Sequence, residues 1–246
     1  MNNHILVAQD GPILRITLNR PDAGNAMTDD MATELIRLLE GAGETSQFVV
    51  LQGAGTDFCV GRAAMMQAPG ATPAARPEAL ARRHQTEVVF NCYGAFRRCP
   101  VPIVAVVHGR ALGFGCAVAA LADITIASDA ATFQIPEMNM NIMPTMVMSA
   151  LVDRVPRKAI NYLVYSRATV DAARALTFGI VSDVVPAGQL ENAVSELCAA
   201  LLEAPRAALL GVKEYTRSAP SMDVQGAVDF ARNLHATINS SSEMRK

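Results

Sequence analysis

From Val104 to Glu137 the chain reads as an apolar strand, a glycine-flanked turn, a helix of small residues, a second strand and a lone acid after a proline. Val104-Ala-Val-Val107 has no polar alternation, which is the pattern of a strand covered on both faces in a parallel sheet. Gly113-Phe114-Gly115 opens the run Cys116 to Ala122, and Asp123 then precedes Ile124-Thr-Ile-Ala127. Strand, helix and strand in so short a span predict an α/β architecture. The same stretch has a chemical consequence. The first N–H groups of a helix lack intrahelical partners and sit at the positive end of its dipole. With Glu137 following in Phe133-Gln-Ile-Pro-Glu, the segment can offer backbone donors and one acid/base to a substrate carbonyl.

The flanking sequence keeps that rhythm. Leu6 to Ala8 and Ile13 to Leu18 predict a hairpin through Asp10-Gly11, the second strand alternating Leu14, Ile16 and Leu18 with Arg15 and Thr17. Thr28 predicts an N-cap with Asp29 and Asp30 in the first turn, and Met31, Leu35, Leu38 and Leu39 form one apolar stripe of a helix ending near Gly41 to Gly43. Phe48 to Leu51 predicts a short buried strand entering Gly53-Ala54-Gly55, and strands recur at Ile103 to Val107 and Ile124 to Ala127. Met65 to Pro77 carries Pro69, Pro73 and Pro77 among small residues, which predicts a loop. Its length inside a compact domain predicts a flexible lid. Helix returns over Glu78 to Arg98 and dominates beyond Pro156, where Leu190, Ala193, Val194, Leu197 and Leu201 share a face. One domain over 1–246 is expected, with its core over 1–190 and a helical region over 191–246.

Composition narrows the partners. The 246 residues are 51% hydrophobic, enough for one large core, and 21 basic against 23 acidic residues without long runs leave no footprint for nucleic acid or an anionic membrane. A small molecule is the expected partner. Cys59, Cys92, Cys99, Cys116 and Cys198 are odd in number and form no Cys-x-x-Cys pair, so reduced thiols are expected and no metal site is. Met1-Asn-Asn-His4 lacks a basic segment leading into an apolar run, and no apolar stretch reaches membrane-spanning length, which predicts a cytoplasmic protein without membrane contact.

Three segments together resemble the crotonase family, the enoyl-CoA hydratases and isomerases, in order and spacing over nearly the whole chain. They are Asn19-Arg20-Pro21 through Asn25-Ala26-Met27, Phe58-Cys59-Val60-Gly61, and Val104 to Glu137. The resemblance implies a crotonase-like spiral of ββα units, a homotrimer or dimer of trimers, and an acyl-CoA thioester substrate, with no cofactor beyond the CoA that the substrate carries. The family pattern Ala-Gly-Ala-Asp falls on Val60-Gly61-Arg62-Ala63 and Gly-Gly-Gly falls on Gly113-Phe114-Gly115. That implies oxyanion donors at the amides of Arg62 and Phe114. The family's second catalytic glutamate falls on Glu137 and its first on Ala117. CoA is expected along Asn25, Ala26 and Met27 and along Val60, Gly61, Ala63 and Ala64, with Gly113 at the turn and Arg62 offering charge to a phosphate. The chain stops at Ser242 to Lys246, short of the final helix with which many crotonases cover the nucleotide.

The departures set the functional expectation. Hydration normally employs two carboxylates, one handling water and one passing a proton to carbon, and Ala117 has no proton to give or take. One carboxylate suffices to move a double bond, by taking a proton at C2 and returning it at C4. Pro144-Thr-Met-Val-Met148 stands where the family has a glycine cluster, and five methionines between Met138 and Met148 either dry the pocket or pack the core. Enoyl-CoA isomerisation is therefore the leading expectation. The rivals are enoyl-CoA hydration, hydrolysis or C–C cleavage of a β-ketoacyl-CoA, and a catalytically silent acyl-CoA-binding protein, towards which Phe114 and Ala117 point. Asp123 is expected to be a satisfied structural carboxylate, His84 a surface helix residue, His108 a backbone support, and Cys59 and Cys116 packing residues.

Overall fold

The computed structural model describes residues 3–63 and 78–245; Ala64 and the expected lid, Met65 to Pro77, lie outside the described residues. β1 (Ile5–Asp10) and β2 (Ile13–Leu18) form the predicted antiparallel hairpin. α1 (Asp29–Thr45) carries the chain back so that β3 (Phe48–Gly53) runs parallel to β2, with Ile13 opposite Phe48. α2 (Ala79–Arg98) leads into β4 (Ile103–Val107), parallel to β3. β5 (Arg110–Leu112), α3 (Phe114–Leu121), β6 (Ile124–Ser128) and β7 (Thr132–Gln134) follow. Next come α4 (Thr145–Leu151), α5 (Arg157–Ser166), β8 (Val170–Asp171), α6 (Ala172–Thr177) and β9 (Asp183–Val185). The chain closes with α7 (Leu190–Glu203), α8 (Arg206–Ser218) and α9 (Val224–Asn239). The larger sheet has the order β1-β2-β3-β4-β6-β9, and β5-β7-β8 form a smaller one.

The apolar strands read as doubly covered because they are. Along β3, Val49 and Leu51 join the main core with the α1 stripe Met31, Leu35, Leu38 and Leu39, while Phe48 and Val50 face a second cluster. That second cluster holds Val104, Val106 and Ile126 against Leu190, Val194 and Cys198 of α7. Covering both faces removes the polar alternation that a half-exposed strand would need.

Two helix boundaries differ from expectation for a backbone reason. Gly41 and Gly43 do not adopt the positive φ that ends a helix, so α1 continues to Thr45 and stops where Ser46 turns extended. Gly113 does hold a positive φ of 50° immediately before Phe114, so α3 begins at Phe114 rather than at Cys116. The Thr28 cap forms as predicted, its side chain accepting from Met31 N at 3.2 Å.

α8 is tied to the sheet by an ion pair between buried Lys213 and partly buried Asp123. Lys213 Nζ donates to Asp123 Oδ2 at 2.6 Å and to Phe96 O at 3.3 Å, and the same Asp123 oxygen accepts from Ile103 N at 2.8 Å. Asp123 is thus the structural carboxylate the sequence suggests. No helix among the described residues is long and apolar enough to cross a membrane. Removing one member of a buried pair strands the other's charge. Lys213→Met should destabilise the protein by about 3–5 kcal/mol, read by urea denaturation, and adding Asp123→Asn should recover part of that loss.

Candidate active site

Two distant segments are brought side by side by backbone pairing. Cys59 N donates to Arg110 O at 3.1 Å and Leu112 N donates to Cys59 O at 2.9 Å, so the chain entering Val60 runs parallel to β5. A Cβ on Gly115 would stand 2.0 Å from Cys59 O. Only glycine lets the first turn of α3 approach that carbonyl so closely. Arg110 holds the same junction from outside, its Nε and Nη2 donating to Asp57 Oδ1 and Oδ2 at 2.8 and 2.7 Å. The guanidinium keeps the Asp57 carboxyl below the usual carboxylate range. Nothing local in the sequence marks this pair, since its members are 53 positions apart.

The junction leaves two amides unused. Met27 N donates to Gly61 O at 2.8 Å and Ala63 N donates to Met27 O at 2.9 Å, which brackets Arg62 without employing its N–H. Phe114 is the first residue of α3, where no intrahelical acceptor exists. Among the described residues neither amide donates a hydrogen bond.

Glu137 opens a short 3₁₀ turn, Glu137–Met140, and is only 6% exposed. Its carboxylate folds against the α3 turn, where a Cβ on Gly113 would lie 2.6 Å from Glu137 Oε1. Glu137 Oε2 is buried and has no hydrogen-bond partner among the described residues. Burial pushes its pKa up, because an ionised carboxylate loses hydration there. The residue borders two spaces. One of about 200 Å³ is lined by Val60, Gly61, Arg62, Gly113 and Pro136 beside it. The other, of about 20 Å³, is lined by Arg62, Tyr93, Phe114, Met146 and Val147 with Glu137. The arrangement can hold a negative oxygen with backbone donors and move a proton beside it.

Several expected site residues have other positions. Asn25, Ala26 and Met27 are buried and line neither space. Asn25 is committed to the fold: its Oδ1 accepts from Arg20 N at 2.8 Å, and its Nδ2 donates to Ala54 O and Asp57 O at 2.8 and 2.7 Å. The loop before α1 braces the Val60 to Ala63 segment through its backbone, Val60 N donating to Gly24 O and Met27 N to Gly61 O. The Arg62 guanidinium is paired with Asp29 at 2.9 Å. Ala117 is fully buried inside α3 and borders neither space. The methionines divide, with Met143 and Met146 at the small recess and Met140 at the larger space. His108 Nε2 lies 2.9 Å from Gly55 O, the backbone support expected of it, and His84 is exposed on α2. Burial pushes the thiols of Cys59 and Cys116 up to about 12, which keeps them protonated. Tyr93 was not singled out by its sequence context; its place in the apolar helix pattern reads as core. Among the described residues no group of three or more His, Cys, Asp or Glu could hold a metal ion.

A helix start and a neighbouring extended segment whose amides donate to no described residue, set beside a buried acid, form an arrangement able to stabilise an oxyanion. The family model for enoyl-CoA hydratase/isomerase matches residues 8–246. The 2,3-dehydroadipyl-CoA hydratase of Escherichia coli (strain K12) is 29% identical, covering 94% of this chain and 89% of its own length. The crystal structure of an enoyl-CoA hydratase from Mycobacterium smegmatis superposes with a TM-score of 0.89 at 26% identity, covering 98% of this chain and 93% of that one. A putative enoyl-CoA hydratase from Thermobifida fusca YX, solved in complex with CoA, is 30% identical with a TM-score of 0.84 over 95% of this chain and 92% of that one. This chain belongs to the enoyl-CoA hydratase/isomerase family, with the crotonase-like α/β fold and a helical C-terminal region.

The raised pKa of Glu137 links the site to stability. The folded state holds that proton more tightly than the unfolded chain does, so the residue's contribution is present below its unfolded pKa and is lost as pH rises through the folded value. Glu137→Gln should therefore melt higher than the parent at pH 8, and the gap should shrink on acidification towards pH 4, as followed by thermal denaturation.

Proposed function

We propose that this chain is an enoyl-CoA isomerase that moves one proton with one carboxylate. The observation that carries the reading is Glu137, buried with an unpartnered oxygen at a cavity it shares with the Arg62 and Gly113 turns, while Ala117 is sealed inside α3. Glu137, ionised, takes a proton from C2 of a 3-enoyl-CoA. The C–H electron pair moves into conjugation and the thioester oxygen becomes the dienolate oxyanion. The amides of Arg62 and Phe114 donate to it, and the α3 dipole adds to that field. Glu137 then returns the proton at C4, leaving a 2-enoyl-CoA and a regenerated carboxylate. A base whose pKa is raised towards the working pH is well suited to both transfers. The CoA bound by the Thermobifida fusca protein supports the substrate class.

Hydration of a 2-enoyl-CoA is a second reading, favoured by the names of the relatives, among them the short-chain-enoyl-CoA hydratase of Clostridium acetobutylicum at 28% identity. Assembly as a trimer or dimer of trimers belongs to the same proposal. An apolar groove of about 310 Å³ between α8 and α9, lined by Val212, Leu234 and Ile238 among others, is a surface that a neighbouring subunit would cover in such an assembly.

Incubation with 3-enoyl-CoA should give migration of the double bond, seen as growth of conjugated thioester absorbance. Glu137→Gln should lower kcat by about 10²–10⁴-fold. In the parent, kcat/KM should rise with pH through a midpoint above the ordinary carboxylate value, since the base must be ionised. Absence of any turnover in the parent would leave the silent acyl-CoA-binding reading standing.

A further inference from the structure

We propose that the stacked pair Tyr93 and Phe114 stops the acyl end of this site and restricts it to acyl groups of about four or five carbons. The inference rests on the reading of Arg62, Phe114 and Glu137 as the reacting centre and adds the class of substrate that the centre admits.

Two spaces meet at that centre, both bordered by Arg62 and Glu137, and they differ in size and walls. The larger, of about 200 Å³, is bordered by exposed Asn139 and Met140 and so opens to solvent. The smaller, of about 20 Å³, lies where α2, α3 and α4 converge. Its walls Val89, Tyr93, Phe114 and Val147 are each at most 3% exposed, and only its Ile142 and Met143 side reaches the surface. A thioester carbon is trigonal, so the sulfur arm and the acyl chain leave it on different sides. The CoA arm is far too large for the recess and takes the larger space. The acyl chain is thereby turned past Glu137 towards the apolar recess.

The volume there sets the length. A cavity of about 150 Å³ holds benzene, roughly 25 Å³ per carbon, so the recess has room for about one carbon beyond those that react. Isomerisation engages C2 to C4 beside the carboxylate, and an acyl group of about four or five carbons reaches no further.

The stop is stiff. Tyr93 and Phe114 stack with centroids 5.4 Å apart and planes 27° off parallel, and each is 2% exposed. Each ring backs the other, and a close-packed interior yields little to an inserted methylene. Met146 is only half-buried, and its unbranched side chain can change rotamer. The aromatic pair therefore fixes the limit and Met146 is the yielding wall. Phe114 carries two functions in one residue: its amide serves the oxyanion and its ring bounds the chain.

The test measures binding and turnover against chain length. Isothermal titration calorimetry with butanoyl-CoA and octanoyl-CoA reads the fit without any turnover, and kcat/KM for pent-3-enoyl-CoA and oct-3-enoyl-CoA reads the reaction. The parent should favour the short ligand and the short substrate by about 100-fold, within the range that a misfitting methylene gives an apolar pocket. Tyr93→Leu, which shortens the stop while keeping an apolar side chain in the core, should narrow that preference about 10-fold, and Met146→Ala should narrow it less. Thermal denaturation checks that both variants fold, and Met146→Ala carries this arm alone if Tyr93→Leu does not. A parent that binds and turns over the long acyl group as well as the short one overturns the proposal and leaves the isomerase reading intact. A short-chain preference that neither variant narrows overturns its assignment to this recess. Selective binding without turnover of either substrate supports the proposal and sinks the isomerase reading. Binding of neither acyl-CoA overturns both.

Discussion

The close approach of the first turn of α3 to the carbonyl of Cys59 is the constraint on which the site depends. A side chain at Gly115 would penetrate that carbonyl, so the contact exists only because the position is glycine. From it follow the parallel pairing of Cys59 with Ala111 and the alignment of the Val60 to Ala63 segment with the helix start. The Asp57–Arg110 fork and the Asn25 hydrogen bonds hold the same junction from two other sides. Among the described residues two N–H groups are left without acceptors as a result, the condition that suits amides to an oxyanion.

Against those donors stands a carboxylate that folding disfavours. Glu137 is desolvated, and one of its oxygens has no partner among the described residues. Buried residues flank it in the chain, at Phe133 and Ile135, and across the recess, at Phe114. Under the proposed function the same desolvation that costs stability would serve proton transfer, since a raised pKa brings the two protonation states closer in energy at working pH. Stability and chemistry draw on one physical quantity here, with opposite signs.

The aromatic pair Tyr93–Phe114 shows how a departure in one element is answered in another. A phenylalanine at the α3 turn needs an apolar surface, and α2 supplies it as a stacked ring rather than an aliphatic one. An aliphatic partner would have filled the same space. Tyr93 and Phe114 together wall the small recess beside Glu137.

What the sequence determined by itself is what short-range pattern controls. The hairpin at Asp10-Gly11, the Thr28 cap, the apolar stripe of α1, the doubly covered strands and the turn at Gly113 are set by residues within a few positions of one another. Glu137 was legible through its setting in Phe-Gln-Ile-Pro-Glu, read by resemblance to a family. The end of α1 and the first residue of α3 were less so, because a glycine bounds a helix where its φ turns positive, as at Gly113 and not at Gly41 or Gly43. Tertiary structure alone decided the rest. It buried Asn25 to Met27 as a brace, paired Asp57 with Arg110 across 53 positions, and placed Tyr93 of α2 at the same small recess as Glu137. Those outcomes depend on which faces of separate elements meet, which the apolar periodicity of each element alone does not fix.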